Sequence, residues 1–152
     1  MPRRTLPGNI CNAKAQQPGR EGISMSSQNI EATKRGYSAF AAGDLETALG
    51  MFDDSAEWTL TGESLISGTH RGKGEFTELF GQLAEKSVAV KVKSILADGD
   101  VVVVLTEVTA GGEPYQEADV YTFRNGKVIK AQSFGDTAAQ ERIFGTKRVT
   151  AG

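Results

Sequence analysis

The spacing of hydrophobic positions changes several times along the chain, and each change marks an element. Ile30, Thr33, Tyr37 and Phe40 recur at helical intervals behind Ser26 and Ser27, either of which can cap a helix, with Glu31 in the first turn. Gly43 ends that helix, and Asp44 caps a second in which Leu45, Ala48, Leu49 and Phe52 share one face. From Ala56 the period becomes two, with Ala56, Trp58 and Leu60 on one side and Glu57, Thr59 and Thr61 on the other, the signature of a strand with one buried face. A polar loop, GESLISGTHRGKG, leads to a third helix carrying Phe76, Leu79, Phe80 and Leu83.

The remainder is dominated by strands. Val88, Val90 and Val92 alternate with Lys91 and Lys93, Asp98-Gly99 is a hairpin signal, and VVVVLTEVT is a β-branched run too continuous for a solvated face. Gly111-Gly112-Glu113-Pro114 turns the chain, Tyr115 to Phe123 runs back, Asn125-Gly126 makes a tight hairpin, and Lys127 to Phe134 closes a meander. Asp136 caps a short final helix holding Ile143 and Phe144. The predicted order is α-α-β-α followed by four antiparallel strands: an α+β domain with helices on one side of one curved sheet.

Composition narrows the function classes. The formal charge is −2, but residues 1–24 carry four basic side chains against one acidic, leaving −5 on the rest. An acidic body without a basic stripe argues against nucleic acid as partner, and no apolar run approaches the roughly 20 residues of a membrane span. Cys11 and His70 are single, so one copy of the chain builds neither a disulfide nor a Cys/His zinc cluster, and cytoplasm is the expected compartment. Residues 1–24 lack the apolar core of a secretory signal and read as a disordered tail, either upstream of the true start at Met25 or a weak transit peptide. Residues 25–146 form the expected single domain, and 147–152 a disordered C-terminus.

Known motifs are mostly absent. GTHRGKGEF contains a Gly-Lys pair, but Ser67 and Gly74 stand where a phosphate loop needs Gly and Ser/Thr. No nucleophile elbow or dinucleotide fingerprint occurs. The strand Tyr115 to Phe123 is richer: period two places Tyr115, Glu117, Asp119, Tyr121 and Phe123 on one face, and its aromatics mark that face as the inner one. Carboxylates in an apolar interior have raised pKa values and both give and take protons, which makes Asp119 and Glu117 the acid–base candidates.

The run GYSAFAAGDLETALGMFDDSAEWTLTG, with the GTHRG loop and the YTFRNGKV hairpin, resembles the NTF2-like superfamily, the conical α+β fold shared by ketosteroid isomerase and the SnoaL-like polyketide cyclases, over about residues 28–144. The resemblance implies a cone: a strongly curved antiparallel sheet with three helices of the N-terminal half on its concave side, a short C-terminal helix, and an interior pocket. Laid on ketosteroid isomerase, Asp119 takes the place of a protonated, oxyanion-stabilising aspartate. The family's catalytic base falls on Leu60 and its oxyanion tyrosine on Gly36, with Tyr37 one position on and turned about 100° away. Limonene epoxide hydrolases are also excluded, because Val108, Ala110, Trp58 and Leu60 fill their catalytic positions. The closest resemblance is to the SnoaL-like group.

The resemblance therefore implies a small, largely apolar organic ligand in the cone, isomerised, cyclised or hydrated without a cofactor or metal, with Asp119 as acid–base group assisted by Tyr121 and His70. Trp58, Leu60, Tyr37, Glu117, Phe123 and Val108 are its expected ligand-binding residues. Each has a plainer reading: Trp58 as core, His70 as a solvated loop residue, Tyr37 and Tyr121 as core with satisfied hydroxyls, Asp119 as a structural hydrogen-bond anchor. Gln132 and Ser133 are left open as to which faces inward. The alternative function is a non-catalytic binding or assembly module, and a homodimer is expected in either case. The identity of the ligand is not written in the chain. Because residues 1–24 offer little apolar surface to offset an ordering entropy of about 1–2 kcal/mol per residue, a chain starting at Met25 is expected to keep its melting temperature. A large drop in a thermal melt would overturn this.

Overall fold

The computed structural model describes residues 24–147. The expectations for residues 1–23 and 148–152 lie outside those residues. Helix α1 spans Met25–Ala41 and its cap is Ser24, two or three residues before the serines expected, whose side chain accepts from the Ser27 N–H at 3.1 Å. Asn29, Thr33, Gly36 and Ala39 form its buried stripe. Asp44 caps α2, Leu45–Leu49, by accepting from the Thr47 N–H. This helix is only five residues long, and Phe52, expected on it, instead opens strand β1, Phe52–Leu60.

The loop expected after β1 contains a short strand, β2, Gly68–Arg71, antiparallel to β1. Four residues with no apolar alternation give no periodic signal, which is why the sequence reads as loop there. Helix α3, Gly72–Glu85, buries Phe76, Leu79 and Phe80. Strands β3 (Ala89–Asp98), β4 (Val101–Ala110), β5 (Glu113–Arg124) and β6 (Lys127–Gly135) form the expected meander, and α4, Thr137–Phe144, is capped by Asp136 as expected.

The sheet has six strands in the order β2-β1-β6-β5-β4-β3. It is curved and unclosed, and it is mixed: β1 pairs with β6 in parallel, where an antiparallel sheet was expected. Two bulges set which side chains face inward. The register slips at Lys93 in β3, so Val88 and Val90 are followed on the inner face by Ile95 and Ala97, which lie opposite Val104 and Val102. It slips again in the β5–β6 hairpin between Thr122 and Phe123, a change that decides the chemistry of the interior.

The core lies between the concave face and the helices. Phe52 stacks on Trp58 with ring centroids 5.7 Å apart, and Phe76 meets both rings edge-on. On the opposite face Leu96, Leu105 and Phe134 stay exposed. Among the described residues no helix is long and apolar enough to cross a membrane.

Glycines at turns give a direct test of this packing. Gly126 has φ +79° in open space, so Gly126→Ala meets only backbone strain and is expected to cost about 1 kcal/mol. Gly62, at φ +95°, would place a Cβ 2.7 Å from the Thr137 methyl, and Gly62→Ala is expected to cost about 2–3 kcal/mol. Urea unfolding of the two variants checks the difference, and equal costs would contradict the docking of α4 against the end of β1.

Candidate functional site

The concave face and the helices enclose a cavity of about 80 Å³. Its wall is almost wholly apolar, built from Phe40, Phe52, Trp58, Leu60, Ile66 and Val108 among others, with the half-buried Met51, Leu83, Val88 and Val90. Tyr37, Tyr115, Glu117, Asp119, Tyr121 and Ser133 supply its polar groups. Period two along β5 brings Tyr115, Glu117, Asp119 and Tyr121 to one wall, as the alternation predicts.

Asp119 is 4% exposed and lies at the centre of a hydrogen-bond network drawn from four elements. Its Oδ2 accepts from the Tyr37 hydroxyl of α1, and its Oδ1 accepts from Ser133 Oγ of β6 at 2.7 Å. Ser133 in turn accepts from the Trp58 indole N–H of β1 at 2.9 Å. The Tyr37 and Tyr121 hydroxyls are 2.7 Å apart, and since the Tyr37 proton is directed to Asp119, Tyr121 is the donor of that pair. Every proton in the network therefore points toward the Asp119 carboxylate.

Burial raises both inner carboxyls, but unequally. Glu117 is pushed well above its ordinary value by desolvation, by the Asp119 charge beside it and by donating to it. Asp119 is raised by desolvation, while hydrogen bonds from Tyr37, Ser133 and Glu117 pull it back. Both carboxyls are thus pushed toward the protonated form, Glu117 the more strongly. Burial and the neighbouring acidic groups push the Tyr37 and Tyr121 hydroxyls well up, so they remain donors. Such a set places two adjacent carboxyls of raised pKa and two phenols at the wall of an apolar space, groups chemically able to give and take protons there.

Other expected site residues are distributed as follows. Trp58, Leu60, Val108, Tyr37, Glu117 and Tyr121 line the cavity, whereas Phe123 is buried in the core outside the lining. Trp58 stacks on Phe52 in the core and also lines the cavity. His70 does not line the cavity, contrary to expectation: β2 places it opposite Trp58, but its Nε2 is engaged by the Ile66 carbonyl at 2.9 Å, and Ile66 forms the wall instead. The one-position slip of Tyr37 does not turn it away; its hydroxyl reaches Asp119, and Gly36 is filled over by Met51, whose Sδ would lie 2.4 Å from a Cβ at residue 36. Ser133, left open against Gln132, faces inward at 2% exposure. Tyr115, placed on that face by the alternation, also lines the cavity, and Met51 lines it with no sequence signal to mark it. Among the described residues no three His, Cys, Asp or Glu side chains stand together to hold a metal.

Comparison with known proteins agrees with this geometry. Bal32a, from a soil-derived mobile gene cassette, is 29% identical over 80% of this chain and 99% of its own, with a TM-score of 0.74. An NTF2-like protein from Burkholderia xenovorans LB400 is 25% identical over 81% of this chain and 99% of its own, with a TM-score of 0.66. TerC, co-crystallized with polyporic acid, shares the fold with a TM-score of 0.69 at 24% identity over 79% of this chain and 100% of its own. No curated protein matches the chain at a significant level. The SnoaL-like domain model matches residues 33–131, from the middle of α1 into β6. With the cone, its lining and this match taken together, the chain belongs to the SnoaL-like family of the NTF2-like superfamily.

Proposed function

We propose that the protein binds a small, largely apolar organic molecule in its cone and acts on it as a cofactor-independent isomerase or cyclase with Asp119 as the acid–base group. The observation that carries this reading is the placement of two neighbouring carboxyls, Glu117 and Asp119, at the wall of an otherwise apolar cavity. A carboxylate held by converging donors in such a space is a preorganised base, and removal of a proton next to a carbonyl is the chemistry it suits best. The proposed setting is cytoplasmic.

Size limits the ligand. A cavity of about 80 Å³ is smaller than the ~150 Å³ apolar cavity that admits benzene, so a ring-sized molecule enters by displacing a side chain. Met51 suits that role: it is unbranched, half-buried, and lies over Gly36, where no Cβ holds it.

A second reading, a non-catalytic binding module, is favoured by one observation: both Asp119 oxygens are already engaged within the chain, as in a structural anchor. The outer sheet face supports a homodimer under either reading. Leu105, Ala118 and Phe134 are register partners across β4, β5 and β6, and Leu96, Val103 and Val120 form the row beside them, a continuous apolar patch suited to a two-fold copy of itself.

Four measurements test these statements. Trp58 is the sole tryptophan, so ligands extracted from the purified protein and identified by mass spectrometry are expected to change its emission on rebinding. Asp119→Asn is expected to abolish turnover of that ligand; full turnover in the variant would remove Asp119 from the chemistry, and absence of any turnover in the parent would favour the binding module. The Glu117 value is raised in the folded state, so its protonation favours folding below the ordinary Glu value of about 4.3, and that stability is lost as pH rises through the folded value. Glu117→Gln should accordingly match the parent in melting temperature near pH 4 and exceed it at pH 7; a variant less stable at pH 7 contradicts a protonated Glu117. Sedimentation at micromolar concentration is expected to show a dimer that Phe134→Glu converts to monomer, and a monomeric parent would rule the patch out as an interface.

A further inference from the structure

Helix α4 lines none of the cavity, yet it sends one polar side chain to the carboxyl pair. Gln140 is 2% exposed and its Nε2 donates to Glu117 Oε2 at 3.2 Å. Its own Oε1 is buried without a hydrogen-bond partner. Gly135, at the end of β6, makes room for the contact: a Cβ there would come within 2.8 Å of Gln140 Nε2 and 3.0 Å of Glu117 Oε2. Gly135 is not in the left-handed region, so the missing side chain serves space rather than backbone conformation. A buried amide with one orphaned end is a poor way to anchor a helix that already buries Ala139 and Phe144. The arrangement makes sense for what its amide N–H groups do reach, Glu117 and the Tyr115 hydroxyl on the cavity wall.

The bond to Glu117 opposes everything else around that residue. Asp119 lies beside it on β5 with Tyr115 and Tyr121, and α4 brings Gln140, whereas Tyr37 of α1 acts on Asp119 and the cap residue Asp136 on Tyr115. The opposing β4 residue, Thr106, is not titratable and bonds the Glu117 backbone carbonyl. Burial and the neighbouring acid hold the proton on Glu117; the Gln140 N–H alone favours its departure.

We propose that Gln140 is a positioning residue that makes Glu117 the proton donor of the site, with Asp119 as the base. The inference rests on the catalytic reading above and extends it. For a carbonyl-bearing molecule in the cavity, Asp119 takes a proton from the carbon next to the carbonyl. The C–H electron pair becomes the new C=C bond, and the carbonyl π pair takes the proton from Glu117 O–H. The ligand becomes an enol with its proton count unchanged, Glu117 is left as a carboxylate held by Gln140, and Asp119 is left protonated. The proton then returns from Asp119 to Glu117 through their mutual contact, and no further reactant is consumed. Asp119 has room for this proton, because two carboxylate oxygens offer about four acceptor sites and Tyr37, Ser133 and Glu117 occupy three.

The test is a carboxyl NMR titration of the full chain without ligand, with the Glu117 and Asp119 signals assigned through Glu117→Gln and Asp119→Asn. In the parent protein, the Gln140 side-chain amide signal is expected to move with the Glu117 midpoint. In Gln140→Met, which keeps the packing volume, and in Gly135→Ala, which wedges the pair apart, that midpoint is expected to rise by about one pH unit. A Gln140 amide that stays still through the Glu117 transition overturns the proposal whether or not the variants fold. An unchanged or lowered midpoint in either folded variant overturns it too, and leaves Gln140 as packing that lowers the melting temperature only. The titration is read on the empty protein, so a missing Trp58 response to ligands would sink the catalytic reading separately.

Discussion

A carboxylate taken out of water must find compensation from its surroundings, and the interior of this protein is arranged around that requirement at Asp119. Tyr37 comes from the first helix, Ser133 from the last strand, Trp58 reaches Ser133 from the first strand, and Tyr121 backs Tyr37 from the same strand as Asp119. The anion is thus a point at which the first helix, the first strand and the meander are brought into one geometry. The apolar rings packed behind Trp58 then do double duty, excluding water from the network and forming the wall of the space that the network faces.

Much of this was legible from spacing alone. Alternation along β5 identified the face that carries Tyr115, Glu117, Asp119 and Tyr121, because a strand with one buried face obeys a strict period. Asp44, Gly43, Asp136 and Asn125-Gly126 marked boundaries through local chemistry that operates regardless of the rest of the fold. What escaped was non-local. Parallel pairing of β1 with β6 leaves no trace in either segment, and β2 is too short to show a period. Tyr37 is aimed by the tilt of a whole helix, which residue counting against a relative cannot supply.

Ser133 shows the limit most clearly. Counting back from the two-residue hairpin, with Arg124 opposite Lys127, puts Gln132 across from Asp119. The register slip between Thr122 and Phe123 moves the partner on by one, so a serine hydroxyl faces the carboxylate and the longer amide points to the other side of the sheet. A bulge is thus a one-residue decision about the chemistry of the interior. Gln140 escaped for a related reason, since its reach to Glu117 depends on a missing side chain at Gly135 in another element.

The parallel pairing has a consequence for how the domain opens. Trp58 and Ser133 are 75 residues apart in the chain, and their strands become neighbours only when the first and last parts of the sheet join. Until they join, Asp119 lacks both its Ser133 partner and the wall that Trp58 supplies, so the cost of the buried anion belongs to the closed domain. An opening that parts β1 from β6 relieves that cost, so the same residue that equips the cavity also bears on how readily the closed cone reopens.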